Sequence, residues 1–237
     1  ENYFLIKNPK AIGWGREGYL SFDMDIDSRY DIASAELKLH LYNLSGANQY
    51  VFVSVSGLPS NPSVSSLTWS SSQLLDNVKE IGIAAVDTTD NGKYISWNVT
   101  DYLKSQIAEG QSKVTFKMKA VGGSIDALMK FDQSHNNIVA SKYPPQLVIS
   151  SVSKGNTTVS EEKEVKIAVY PNPLTHSVFV KGNELRKIEI LTVDGIMVSS
   201  TTDIDKAIDM SGLANGIYFI VTTDIDMRRQ AMKIIKH

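Results

Sequence analysis

The densest grouping of chemically able side chains is Lys7-Asn8-Pro9-Lys10-Ala11-Ile12-Gly13-Trp14-Gly15-Arg16. Three cations and one indole fall within ten residues, in a stretch whose Pro and Gly mark a loop between two strand-like runs. Arg16 can grip a carboxylate through two parallel hydrogen bonds, whereas Lys7 and Lys10 act as point charges. Trp14 offers a flat apolar ring. Together they suit an anionic ligand that also has an apolar face, on a loop carried by a rigid scaffold. The plainer alternative is three solvated cations and an indole that plugs the end of a core.

A second set is Lys130, His135, Lys142 and Tyr143. It joins the first wherever the strands near it lie beside the opening ones; otherwise Lys142 and Tyr143 only flank the Pro144-Pro145 turn. Lys117 and Lys119 share a strand face with Thr115 and read as a solvated edge. Turnover chemistry is poorly supplied. His40 and Tyr42 share a strand face with Lys38, which would give a base beside a cation, yet no second element completes them. No G-x-S-x-G elbow is present, and no carboxylate pair stands out. Asp23-Met24-Asp25-Ile26-Asp27 imitates the start of a calcium loop but meets Ser28 where Gly is required and Ser34 where Glu is required. No metal site and no cofactor follow from these residues, and a structural calcium is not indicated. Asn43, Asn98 and Asn156 open N-x-S/T triplets, which matter only where a glycosylating pathway exists.

These side chains need elements to hold them, and a period of two dominates. Leu20, Phe22, Met24 and Ile26 alternate with the residues between them, as do Leu37, Leu39 and Leu41, then Val114, Phe116 and Met118, and Val51, Val53 and Val55 continue the period. Such runs predict antiparallel strands, packed on one face and wet on the other. Further strands are expected around Phe4, Ile83, Ile95, Met129 and Val148. A helix is expected from Thr100 or Asp101, as cap, to Gly110, with a shorter one over Ser71 to Leu75. Beyond a polar stretch at 151–164 with linker chemistry, seven strands are expected around Val169, Val178, Ile190, Val198, Ile208, Phe219 and Lys233. The fold class expected is all-β: a jelly-roll β-sandwich with one or two short helices over 1–150, then a small immunoglobulin-like sandwich over 165–237.

Composition narrows the function. The 237 residues hold 24 Lys+Arg against 26 Asp+Glu, so there is no general cationic attraction to nucleic acid. With no Cys, disulfides and thiolate chemistry are excluded. There is no apolar run long enough to span a membrane, and no signal peptide opens the sequence.

Two resemblances then apply. Arg16-Glu17-Gly18-Tyr19-Leu20-Ser21-Phe22-Asp23, Ser34 to Leu39, Leu67-Thr68-Trp69, Trp97 to Tyr102 and Pro144 to Val148 are similar, in order, to the DNRLRE domain, a carbohydrate-binding module appended to polysaccharide lyases, alginate lyases among them. That resemblance implies a non-catalytic binder of an acidic polysaccharide, with Lys7 and Arg16 on positions that match the family's basic binding region; with the residue types added, Lys7, Lys10 and Arg16 are expected to pair with carboxylates and Trp14 and Tyr143 to stack on sugar faces. Lys130, His135 and Lys142 are carried as further contacts. It also implies that a first strand of the domain is missing. Val169-Tyr170-Pro171-Asn172-Pro173, Asp194-Gly195, Leu213 to Tyr218 (with Gly216, Ile217 and Tyr218) and the basic last strand resemble the type IX secretion sorting domain of Bacteroidetes. This implies the type IX machinery as partner, a secreted or cell-surface location, and a chain that is the C-terminal piece of a larger polysaccharide-degrading enzyme. The competing expectations are an adhesive surface protein without a sugar ligand, and a lyase active in the chain itself.

Overall fold

In the computed structural model, which describes residues 3–9, 15–24, 26, 29–58, 62, 64, 67–68, 71, 78–133, 142–154 and 167–237, the alternating runs are strands. One sheet carries β1 (Tyr3–Lys7), β8 (Leu128–Asp132), β3 (Tyr30–Ser45) and β6 (Lys93–Asn98) in that order, with β9 (Gln146–Ser153) paired to the first half of β3. The other carries β5 (Lys79–Val86), β4 (Val51–Gly57), β7 (Lys113–Gly123) and β2 (Gly18–Asp23). The orders 1-8-3-6 and 2-7-4-5 are those of a jelly roll, as the sequence leads one to expect. Every pairing within them is antiparallel.

Leu37, Leu39 and Leu41 of β3 face Val51, Val53 and Val55 of β4 and Val114, Phe116 and Met118 of β7 across one core, all of them buried. Fully burying such a side chain contributes roughly 1.5–3 kcal/mol. Trp97 sits among them because its Nε1 donates to the Val53 carbonyl at 3.1 Å. Helix α1 (Thr100–Ala108) closes one end and stops before Gly110, whose φ of 75° ends it. Its start differs from expectation. Val99 is the N-cap and no side chain caps the turn. The Thr100 hydroxyl instead accepts from the Ala35 amide at 2.9 Å, tying the helix to β3. Burial pushes the Tyr102 phenol up to about 12, and its ring lies where a Cβ on Gly57 would come within 2.2 Å. Of the short helix expected over Ser71 to Leu75, all but Ser71 lies outside the described residues.

The one-wet-face expectation fails on the second sheet. All seven residues of β4 are buried, and Lys117 is not a solvated edge residue. Its strand lies between β4 and β2, and its side chain, 7% exposed, pairs with Glu17 at 3.1 Å.

The rest of the chain supplies β10 (Ala168–Tyr170), β11 (Ser177–Lys181), β12 (Leu185–Thr192), β13 (Met197–Thr201), β14 (Ile208–Asp209), β15 (Gly216–Asp224) and β16 (Arg229–Lys236). They form two sheets, β10-β11-β14 and β13-β12-β15-β16, around Val178, Val180, Ile188, Ile190, Ile220 and Ile234. This second sandwich is fused to the first. β16 pairs with β5, Ala231 opposite Ile83, so strands of both halves share one eight-stranded sheet. Phe52 stacks on Phe219 at 4.0 Å. Arg229 donates to both Asp87 and Asp90, and its guanidinium lies 5.1 Å from the centre of the Tyr50 ring.

Burial acts to raise the Asp87 carboxyl, but the hydrogen bonds and charge of Arg229 outweigh it and hold the group below its ordinary value. A carboxyl depressed on folding contributes stability above its unfolded value of about 3.9 and loses it as pH falls through the lower folded one. Urea unfolding followed across pH 6 to 2 is expected to lose stability below about pH 4, with a flatter acid limb in Arg229→Ala.

Candidate functional site

The outward face of the five-stranded sheet collects the side chains that alternate with the core set. β1 contributes Tyr3, Leu5 and Lys7, which lie opposite Asp132, Lys130 and Leu128 of β8. β3 contributes Lys38 and His40, opposite Ser96 and Tyr94 of β6. A register shift between Leu41 and Asn43 then lets β3 turn from β6 and β9 toward β8.

At the centre His40 is buried, although it points away from the core. Its Nδ1 lies 2.6 Å from Oδ2 of Asp132, and a carboxylate acceptor makes that nitrogen the donor. The Tyr143 ring lies flat on the imidazole, 4.2 Å away and inclined by 17°, while Tyr94 meets its edge at 5.3 Å. Tyr94 also fastens the segment before β9: its hydroxyl donates to the Pro144 carbonyl at 3.3 Å and accepts from Nε2 of Gln146 at 3.1 Å. Tyr143 therefore sits on a fixed base and is 37% exposed. Lys142 places its ammonium 5.1 Å from the Tyr143 ring centre, a cation–π distance. Further along, Tyr3 stacks on Tyr42 at 4.4 Å, and Tyr42 is 52% exposed. The hydrogen bond with Tyr42 raises the Tyr3 phenol above its usual range, with burial and the Tyr42 and Asp132 charges adding to the shift.

The cations differ in how far they are committed. Lys38 pairs with Glu36 at 2.8 Å, and Lys7 with Asp126 at 3.5 Å. Lys130 and Lys142 make no ion pair among the described residues. The face thus offers exposed phenol rings flanked by ammonium groups. Rings of this kind cover the apolar side of a pyranose, and ammonium groups meet its carboxylate or hydroxyl oxygens.

Of the expected site residues, Lys7, Lys130, Lys142 and Tyr143 fall on or beside this one sheet. Arg16 joins through the backbone, since the Lys7 amide donates to its carbonyl at 3.1 Å. Its side chain is exposed and Nη1 donates to the Gly15 carbonyl at 3.0 Å. Lys10, Trp14 and His135 lie outside the described residues. Tyr3, Tyr94 and Asp132 were not singled out from the sequence, although each lies beside a core residue of its strand. His40 and Tyr42, read as a base lacking a second element, find partners on β8, β6 and the segment before β9.

In the second half, Tyr170 stacks on Phe179 at 5.7 Å at the end of β10. The peptides preceding Pro171 and Pro173 are both cis. They turn Asn172 onto the last strand, where Nδ2 donates to the Lys233 carbonyl at 3.1 Å and Oδ1 accepts from the Ile235 amide at 3.0 Å. Gly216 and Ile217 lie opposite Lys236 and Ile235, and the Tyr218 hydroxyl donates to the Ala214 carbonyl at 2.8 Å. The motif residues therefore build turns that close on the chain's last strand.

A jelly roll whose sheet face carries exposed aromatic rings beside cations has the build of a carbohydrate-binding surface. The chain belongs to carbohydrate-binding module family 96, whose profile matches residues 1–151. Residues 168–237 match the secretion system C-terminal sorting domain, the type IX signal, and this makes the chain a secreted or cell-surface protein. Both matched domains are non-catalytic. No curated protein matches the chain. Among solved structures, the apo structure of Bacteroides uniformis β-glucuronidase 3 matches with 10% identity over 93% of this chain and 27% of that one, at a TM-score of 0.24. The chain thus spans about a quarter of that enzyme's length, and a likeness of this size carries no inference about activity.

Burial is the first cause raising the Tyr94 phenol, and the Asp132 and Tyr143 charges add to it. Asp132→Asn is therefore expected to lower the Tyr94 titration, read by site-resolved ¹³C tyrosine NMR. Asp132→Ala, which strands the buried His40 donor, is expected to cost about 1–3 kcal/mol in urea unfolding.

Proposed function

We propose that the outward face of the five-stranded sheet binds an acidic polysaccharide, a uronate polymer such as alginate. One observation carries this reading. Tyr143 is stacked over His40 and stays part-exposed, beside Lys142 and on the sheet face that carries Lys130. A sugar ring stacks on Tyr143, and the carboxylates of that sugar and its neighbours meet Lys130 and Lys142. Tyr42, stacked on Tyr3, extends the track for a longer chain. Lys7 and Arg16 add charge at the far end of β1; Lys10 and Trp14, between them in the sequence, are the further cation and stacking ring of this reading. Lys7 gives up its bond to Asp126 in the process, a small cost for an exposed pair.

The module performs no bond cleavage in this reading. It holds a larger polysaccharide-degrading enzyme against its polymer and so raises the local substrate concentration. The sorting half delivers the assembly to the outside.

Affinity electrophoresis over alginate, pectin, heparin and neutral glucans tests the proposal. Retardation by alginate is expected, weakening as salt rises because exposed charges are screened over a Debye length of about 8–10 Å. Tyr143→Ala should reduce it several-fold or more, because a ring held in place before the sugar arrives loses little freedom on binding. Lys130→Ala should shallow the salt dependence. Equal retardation by neutral glucans would remove the charge-pairing part of the reading, and no retardation by any glycan would favour the adhesive role.

A further inference from the structure

We propose that the sorting half is a non-covalent subunit of the carbohydrate-binding half, one that stays docked when the chain between them is cut. The inference is independent of which polymer the other face binds. Phe52, Ile83 and Ala85 lie on the outer side of the second jelly-roll sheet, where an antiparallel sheet ordinarily meets water. They are 0%, 8% and 3% exposed because Leu191, Phe219, Val221 and Ala231 cover them.

The two backbones also approach more closely than side chains would allow. A Cβ on Gly122 would stand 2.8 Å from the Val193 carbonyl oxygen and 3.3 Å from both the Phe52 and Phe219 rings. Gly195, at φ 81°, leaves room for the Tyr50 carbonyl 2.9 Å from its missing Cβ. The Gly123 amide donates to the Val193 carbonyl at 2.9 Å. Around this apolar centre run polar ties. Arg229 spans Asp87 and Asp90, and the Tyr50 hydroxyl donates to Oε2 of Glu189 at 3.3 Å. A stacked aromatic pair beside an arginine clamp is the anatomy of a specific, persistent interface. None of these contacts runs through the residues between 154 and 167. The peptide connection adds effective concentration to contacts that are made without it.

The experiment uses the full chain with a protease recognition sequence inserted between residues 155 and 166. After cutting, verified on a denaturing gel, the sample is run on size exclusion with light scattering at micromolar concentration. One peak at the mass of the uncut monomer is expected. Arg229→Gln, which touches neither core, and Phe219→Ala should each weaken retention tenfold or more on serial dilution while keeping the β-sheet circular dichroism of the parent. Separation of the wild-type fragments overturns the proposal. A peak at twice the mass also overturns it, because the docking would then be an exchange between copies. Retention unchanged in both variants would overturn it as well, by placing the contact elsewhere.

Discussion

A strand in an antiparallel sheet sends half of its side chains to each face, so a two-sheet sandwich leaves two outer faces to settle besides its core. In this protein neither outer face is merely polar. One carries Phe52, Ile83 and Ala85 and is closed by the sorting half. The other carries His40, Tyr94 and Asp132 and is partly roofed by Tyr143. The core decides that a jelly roll forms; the outer faces decide what it meets.

His40 illustrates the difference. An imidazole on a wet face has no need of a partner, yet here it loses water on three sides. The Asp132 carboxylate satisfies its Nδ1, and two tyrosine rings take the remaining surface. The result is a fixed pedestal for the part-exposed Tyr143. A ring held in one orientation before the ligand arrives loses little freedom on binding, which is how rigid aromatic platforms gain affinity. Asn172 does related work in the sorting half, where one side-chain amide supplies both a donor and an acceptor to an edge of β16 that lacks a neighbouring strand there.

The strands and their inward faces were legible in the sequence because alternation is a local property: Leu37, Leu39 and Leu41 announce their face without reference to any partner. The seven strands of the sorting half were legible in the same way, between turn residues such as Asp194-Gly195 and Asn215-Gly216. What the outward residues do was not legible, because it depends on pairing between distant segments. His40 and Asp132 are separated by 92 positions and meet only because β8 inserts between β1 and β3. Phe52 stands between core valines in the sequence, and its partner lies far along the chain at Phe219. Lys117 read as solvated because nothing near it in sequence announces Glu17 on the adjoining side of the sheet. The cap of α1 was misplaced for a kindred reason: Thr100 has the right hydroxyl, but β3 claims it. The cationic loop was legible as a set of residue types, and so was the strand around Met129 that carries Lys130; that it pairs with the opening strand could be posed only as a condition, because β1 and β8 are far apart in sequence.

The two outer faces lie on opposite sides of one sandwich, and that placement has a mechanical meaning. On the proposed reading, a polymer held on the five-stranded sheet would pull on one sheet while the sorting half is held behind the other. The load crosses the Leu37–Val53–Phe116 core broadside, spread over many side chains, and reaches the rear through the Arg229 clamp and the β16–β5 seam. A pull that would unzip a hairpin bond by bond is thereby turned into a push and pull between layers, shared across the whole sandwich.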